Sequence, residues 1–412
     1  MKVKIDYIND LGLGVAHTAT DKIFVPYTLT GEEVIISKSD VRGKYLLAAL
    51  TSIEKPSQAR ATPPCEYYGK CGGCQLQHMN DKSYENFKTN LLKAALKKLN
   101  QNEDVLTKII FSNYGDRRRT TFRTYKKNNE LIFGYSAFKS NSLISVSKCL
   151  LLDDKINKLI PLLKEIVLKL DEVILSYHTP LNISITQYYN GSEILFYTNL
   201  FPLNNKIKKT LESLANIAIK VVWQFKDITT VIKETTTPKI TFNEIEARVP
   251  PGTFLQATQK TQDEIIKYIL SKIVSNQKVL DLFAGAGTYS IPISKQTIVH
   301  AVEGNAKLLT ELAKWPNITA VSRDLYNKPL KTSAINEFDI VIINPPRNGA
   351  TPQILNIAKS ILTSAILVYC DLVSFIRDSK IMLANGWQIK EVMGLDQFYQ
   401  SYHIEIVAYF KK

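Results

Sequence analysis

Apolar and polar positions alternate from residue 1 to about 55, in the runs KVKIDYI, KIFVPYTL, EEVIISKS and KYLLAALTSI, with turn signals at Gly12, Gly14, Gly31 and Gly43. Alternation at period two puts one set of side chains on a buried face, and short strands at such regular spacing predict a small β-barrel. Residues 56–64, which contain Pro and Ser, read as a linker. The run YENFKTNLLKAALKKL has helical period and predicts a helix from Ser83 to Leu99 with lysines on its outer face. Between residues 105 and 250 short strands mix with a helix near Asp153 to Leu170. After about residue 250 the apolar runs KVLDLFAG, IVHAVEGN, ITAVSRD, FDIVIINPP and SAILVYC end in polar residues and are separated by helical segments. That alternation predicts an open parallel sheet covered on both faces, an α/β domain. The closing runs WQIKEVMGL and HIEIVAYF lie close together and predict an antiparallel edge.

Composition narrows the setting. The chain has 412 residues, of which 45% are hydrophobic and 22% charged, so it can bury a core and is not globally disordered. Its length suggests roughly two to three domains. No run approaches the ~18 apolar residues of a membrane helix, and the N-terminus lacks a secretory apolar stretch, so a cytoplasmic protein without membrane contact is expected. The net charge of +14 points to a phosphate-bearing partner, with nucleic acid leading. Lys4, Lys22, Lys38, Arg42 and Lys44 would suit an oligonucleotide face on the barrel, and the run Arg117, Arg118, Arg119, Arg123, Lys126 and Lys127 could track a phosphate backbone.

In open α/β sheets ligands sit outside the carboxyl ends of the strands, where glycines let the backbone approach closely. Here the first strand of the C-terminal region runs into Asp281-Leu-Phe283-Ala-Gly285-Ala-Gly287-Thr288, and the next ends at Glu303, 22 residues after Asp281, where a carboxylate can accept both hydroxyls of a ribose. A NAD-type fingerprint is the competing reading, but it wants three spaced glycines and this turn supplies Gly285 and Gly287. With Asp324 after the third strand and Asn344-Pro345-Pro346-Arg347 after the fourth, the set resembles a class I S-adenosylmethionine-dependent methyltransferase. In that class the fourth-strand loop holds the target base beside the methyl donor.

C5 of an intact uracil is a poor nucleophile. A thiolate adding to C6 turns the ring into an enolate that C5 can use, and a base must afterwards remove the C5 proton so that the thiol can leave. One Cys and one base are therefore required. Cys370 ends the fifth strand at the rim of the glycine turn, and Glu405 lies in His403-Ile404-Glu405. Cys370, the Arg377-Asp378 pair seven residues on, and the His-x-Glu near the C-terminus resemble the RNA (uracil-5-)-methyltransferase family, as does the lead-in Pro251-Gly-Thr-Phe254-Leu-Gln256. The resemblance implies Cys370 as nucleophile, Glu405 as proton acceptor, Gln256, Phe283, Glu303 and Asn344 as cofactor contacts, and Asp324 as an adenine neighbour. Four positions depart from the family pattern. Asp371 and Leu372 follow the nucleophile where Asn-Pro is usual, Asn344 stands for an Asp, and Thr288 for an Asn. A carboxylate at 371 pointing inward should raise the thiol pKa.

An odd count of five cysteines in a reducing compartment argues for metal or catalytic duty over disulfides. Cys65, Cys71 and Cys74, with Cys149 about 75 residues on, supply four thiolates, a closed set for an iron–sulfur cluster or for zinc. The larger members of the same family carry this CGGCxxQH element with a distant fourth Cys, a [4Fe–4S] cluster and an N-terminal TRAM barrel. The resemblance thus implies an RNA-binding TRAM/OB-like barrel over 1–55, a central α+β iron–sulfur domain over 56–250, and a Rossmann-like catalytic domain over 251–412. It also implies a monomer that methylates a uridine of structured RNA, with 23S rRNA favoured and tRNA as runner-up. Methylation of an exocyclic base nitrogen, motivated by Asn344-Pro-Pro, and a non-catalytic RNA-binding role remain as alternatives.

Overall fold

The computed structural model describes residues 1–37, 40–42, 45–128, 130–170, 174, 175 and 180–412. Lys38, Gly43 and Lys44, named above, lie outside the described residues. The chain forms two compact units: residues 1–94, 134–146 and 398–403 make one, and residues 95–133, 147–397 and 404–412 the other.

The first unit contains the expected short strands. Tyr7–Ile8, Leu13–His17, Lys22–Pro26, Tyr45–Leu47 and Asp40–Arg42 make one sheet, and Lys2–Lys4, Glu33–Ile36 and Leu50–Lys55 a second. Alternate residues face the core, as Val3 and Ile5, Ile23 and Val25, and Val34 and Ile36 show. The segment 56–64 is no free linker. Arg60 makes a two-pronged ion pair with the fully buried Glu32, at 2.6 and 2.7 Å, and donates to the Tyr27 carbonyl. A buried carboxylate needs such a partner, and composition alone could not reveal it. The helix spans Asp81–Lys98; the Asn80 side chain accepts from the Ser83 N–H at its start, and Lys97 and Lys98 occupy its last turn.

In the second unit the helix Asp154–Val167 starts at an Asp153 N-cap. The strands Arg119–Lys127, Leu181–Tyr188, Gly191–Thr198, Lys220–Phe225 and Ile228–Glu234 adjoin one another in that order. The C-terminal sheet holds β1 (Val279–Leu282), β2 (Val299–Glu303), β3 (Ile318–Ser322), β4 (Ile340–Ile343), β5 (Ser364–Tyr369), β6 (Gln388–Asp396) and β7 (Glu405–Lys411). Its order is β3-β2-β1-β4-β5-β7-β6, followed by Leu106–Phe111. The first five strands are parallel, and β7 runs antiparallel between β5 and β6. Every residue of β1, β4 and β5 is buried, as strands covered on both faces must be. The last two runs do pair, yet they do not close the sheet: Leu106–Phe111 adds outside β6 in parallel. Pairing across so long a sequence separation leaves no local signature.

Candidate active site

The carboxyl ends of β1, β2, β4 and β5 bring the expected residues to one rim. After β1, Phe283 adopts φ +59°, a left-handed conformation unfavourable for a bulky side chain, and Gly285 and Gly287 follow at +56° and +83°. A methyl group on Gly287 would lie 2.4 Å from Leu312, so close packing demands glycine there. Around Gly285, apart from its chain neighbours, only the Phe283 carbonyl among the described residues lies within 4 Å of such a methyl, so this face of the turn is open. Glu303 fastens the turn: its Oε2 accepts from the Gly285 N–H at 3.0 Å and its Oε1 from the Asn305 N–H at 2.8 Å. Asp281 is fully buried and burial pushes its pKa up to about 7; Ser290 donates to its Oδ2 at 2.5 Å while its Oδ1 has no partner.

The other expected contacts divide. Asp324 is exposed and caps its own loop, accepting from the N–H groups of Tyr326 and Asn327 and from the Asn327 amide; those side-chain and backbone bonds lower its pKa. The Phe283 ring packs 5.5 Å from that of Tyr326. Asn344, at the end of β4, donates from Nδ2 to the Tyr289 hydroxyl at 3.3 Å, and Gln256 donates from Nε2 to the same oxygen at 3.5 Å. The Gln256 Oε1 is buried without a partner.

Cys370 and Glu405 arise from neighbouring strands, since Tyr369 of β5 pairs with Ile406 of β7. Glu405 is 2% exposed, and burial raises its pKa to about 7 against hydrogen bonds from Gln397 and Gln256 and the charge of Arg347. Cys370 is half-buried; burial, then the Glu405 charge, raise its pKa to about 11, which Arg347 opposes. Asp371 contributes only after these. Its carboxylate is the N-cap of the helix Leu372–Ala384, accepting from the Ser374 N–H at 2.8 Å. The departure at 371 therefore serves the helix more than it disturbs the thiol.

Two supports escaped the sequence reading. Gln397 bridges the site, taking the Ala257 N–H on Oε1 at 2.9 Å and donating to the Glu405 carboxylate. Asp378, read only as half of a family signature, is fully buried and holds the β4 loop. It accepts from Arg377, from Thr351 at 2.7 Å, from Tyr369 at 2.8 Å and from the Ala350 N–H, and despite burial these bonds lower its pKa. A methyl group on Gly349 (φ +72°) would lie 2.2 Å from Arg377, which explains the glycine of Asn348-Gly349. Buried polar partners of this kind occupy positions that periodicity marks as core.

The expectation that the run from Arg117 to Lys127 tracks phosphate is corrected for Arg118 and Arg119. Arg118 is buried and donates to the Gln256 carbonyl and to Gln259 and Gln262; Arg119 donates to the Leu255 carbonyl and lies over the Phe254 ring at 4.3 Å. Burial lowers both pKa values to about 10. These guanidinium groups clamp the segment that carries Gln256.

Cys65, Cys71, Cys74 and Cys149 are all half-buried. In the first unit the CGGC loop is pinned by the Gly72 N–H to the Ser136 carbonyl, and His78 is buried against the Tyr68 hydroxyl at 2.6 Å, its pKa lowered by burial to about 4. In the second unit Asn157 brackets the Cys149 backbone with two hydrogen bonds. Among the described residues no group of three or more His, Cys, Asp or Glu side chains is arranged to hold a metal ion. Among the described residues no helix is long and apolar enough to cross a membrane.

Residues 1–58 match the TRAM domain family of tRNA (uracil(54)-C(5))-methyltransferase. The chain is 31% identical to an uncharacterized RNA methyltransferase of Rhizobium meliloti (strain 1021), over 100% of this chain and 99% of that protein. It is 26% identical to the 23S rRNA (uracil(1939)-C(5))-methyltransferase RlmD of Shewanella sediminis, over 99% of this chain and 95% of that protein. The solved tRNA (uracil-54, C5)-methyltransferase of Pyrococcus abyssi in complex with S-adenosyl-L-homocysteine shares the fold, with a TM-score of 0.77 at 19% identity, covering 100% of this chain and 99% of that one.

Proposed function

The chain belongs to the RNA (uracil-5-)-methyltransferase family, and from that premise we propose that it transfers a methyl group from S-adenosylmethionine to C5 of a uridine in structured RNA, 23S rRNA by preference and tRNA as the alternative. One observation carries the reading. A half-buried thiol and a fully buried carboxyl, Cys370 and Glu405, stand on adjacent strands close enough to perturb one another. That is the nucleophile and base pair that C5 alkylation needs.

The residues present fit the cofactor: the open face at Gly285 and the unpartnered buried oxygen of Asp281 leave room and polarity for it. When bound, S-adenosylmethionine supplies an electrophilic methyl group. Glu303 would take ribose hydroxyls, Phe283 and Asp324 the adenine side, and Gln256 and Asn344 the reacting end. Cys370 gives its proton to solvent and its sulfur bonds to C6, the ring electron pair passes toward O4 as an enolate, and C5 accepts the methyl group, whose bond to the cofactor sulfur would break to leave S-adenosylhomocysteine. Glu405 then takes the C5 proton, and the C6–S bond breaks to return the Cys370 thiolate. Arg347, whose charge favours the ionised form of both groups, eases the first and last steps.

The same reading assigns residues 1–55 to RNA binding, 56–250 to a central domain and 251–412 to catalysis, in a monomer of the cytoplasm. It assigns a structural [4Fe–4S] cluster to Cys65, Cys71, Cys74 and Cys149 because four thiolates suit such a cluster and the CGGCxxQH element resembles that of the family's cluster-bearing members, and no chemical step passes through it. Iron and sulfide analysis of anaerobically purified protein tests that part: an iron-free, folded, active protein rejects the cluster. Mass mapping of ribosomal and transfer RNA from cells with and without the protein tests the activity. Loss of one C5-methyluridine is expected, and an unchanged map rejects the assignment.

A further inference from the structure

Gln397 stands one residue beyond β6, and Glu405 opens β7 opposite Leu395 of β6. Both side chains are buried. The two ends of the Gln397 amide meet different groups: Oε1 accepts the Ala257 backbone N–H at 2.9 Å, and Nε2 donates to Oε2 of Glu405. The first contact settles which way the amide points, because a backbone N–H can only donate and would find no acceptor in the Gln397 nitrogen. Nε2 therefore faces Glu405 whether that carboxyl is ionised or not. A donor aimed at a carboxyl oxygen favours the ionised form. The anchor is itself fastened, since Ala257 follows the Leu255 and Gln256 carbonyls that Arg119 and Arg118 hold.

We propose that Gln397 is a positioning residue for the last proton transfer: anchored on the Ala257 N–H, it keeps the Glu405 carboxylate ionised and in one orientation, ready to take the C5 proton of the methylated adduct. The assignment rests on the C5-uridine reading above and deepens it. In that step the C5–H bond breaks and its proton passes to Glu405. The electron pair left behind forms the C5–C6 double bond, and the C6–S pair returns to Cys370 as thiolate. Three other groups share the charge balance. Arg347 from the β4 loop favours the ionised carboxylate, while Cys370 at the end of β5 and Tyr289 after the glycine turn have their own ionisation disfavoured by it. Asp396 precedes Gln397 at the end of β6 and is buried. Without the Gln397 donor, Glu405 keeps its proton at neutral pH and the adduct lacks its base. Attack by Cys370 does not suffer, because the Glu405 charge opposes thiolate formation and a neutral Glu405 relieves it. Loss of Gln397 thus separates the steps: the adduct forms, is methylated and waits.

The test uses the full-length protein, S-adenosylmethionine and the RNA fragment carrying the mapped uridine, in single turnovers quenched with denaturant over a pH range spanning the Glu405 pKa. The readouts are the fraction of RNA held as a covalent protein complex on a denaturing gel and the rate at which methylated RNA is released. Wild-type release is expected to rise with pH through about 7. Gln397→Met keeps the length of the side chain and removes the donor. It is expected to slow release about tenfold at neutral pH, to accumulate the complex on ordinary uridine RNA, and to move the rise to higher pH by about one unit, so that the rate recovers in alkali. An equal loss of rate at every pH, with no complex accumulating, marks Gln397 as merely structural and overturns the proposal. Should Gln397→Met fail to fold, Gln397→Lys keeps a donor facing Glu405 and adds a positive charge; the rise should then move to lower pH, and an unmoved rise overturns the proposal. Wild-type protein that leaves no methyl on uridine C5 would sink the functional reading itself, a failure seen before either variant is made.

Discussion

Cys370 and Glu405 each disfavour the other's charge, and the site operates against that opposition. Burial holds the Glu405 pKa near 7, so around neutral pH the residue can both keep and accept a proton, as a base acting late in the cycle must. Single-turnover release of the finished C5-methyluridine RNA is therefore expected to rise with pH through about 7. Arg347→Ala, which removes a charge favouring both anions, should move that limb to higher pH and slow attack by Cys370. A profile that stays in place would remove Arg347 from the account. The same burial has a thermodynamic face. The folded-state pKa of Glu405 lies above its ordinary 4.5, so the carboxyl carries no penalty below pH 4.5, and stability is lost as pH rises through about 7. Glu405→Gln should accordingly be more stable than wild type at pH 8, by on the order of 3 kcal/mol, and no more stable at pH 4. Melting temperatures at the two pH values check this, and equal shifts at both would contradict it. Cys370 and Glu405 as candidates, and the glycine turn, were legible because the proposed chemistry demands particular residue types. Gln397, Tyr289 and the anchoring role of Asp378 were not, since a polar side chain within an apolar pattern does not announce its partner.

At the scale of elements, the active-site loops are held by hydrogen bonds and by the ion pair of Arg377 with the buried Asp378. The β4 loop hangs on Asp378, whose two oxygens satisfy Arg377, Thr351, Tyr369 and a backbone N–H. Asp378→Ala strands those donors and should destabilise the second unit by about 3–5 kcal/mol, with methyl transfer falling even where the protein stays folded. Urea denaturation and initial rates measure the two effects; a loss under 1 kcal/mol would mean that the network is dispensable. The parallel strands β1 to β5 were readable because each is a buried apolar run ending in a polar residue. The parallel edge Leu106–Phe111 was not readable, because its partner β6 lies far along the chain. The arginine run misled for a related reason: consecutive positive charges suggest a solvated phosphate track, yet Arg118 and Arg119 satisfy carbonyls of the Gln256 segment.

For the whole molecule, a net charge of +14 gives phosphate a long-range attraction that salt screens. RNA affinity should fall steeply with salt, and replacing the exposed Lys4 and Lys22 by Ala should reduce the slope of log affinity against log salt by about 2 if the barrel contacts the backbone. An unchanged slope would place the contacts elsewhere. The claim on which all of this depends is that Cys370 bonds to the pyrimidine. RNA carrying 5-fluorouridine at the target presents a fluorine that Glu405 cannot remove as a proton, so the adduct, once methylated, cannot release. On a denaturing gel with S-adenosylmethionine present, wild-type protein is predicted to migrate as a covalent RNA complex and Cys370→Ala to form none. Full methylation of ordinary RNA by Cys370→Ala, or a wild-type enzyme that methylates yet never traps the fluorinated RNA, would contradict the account.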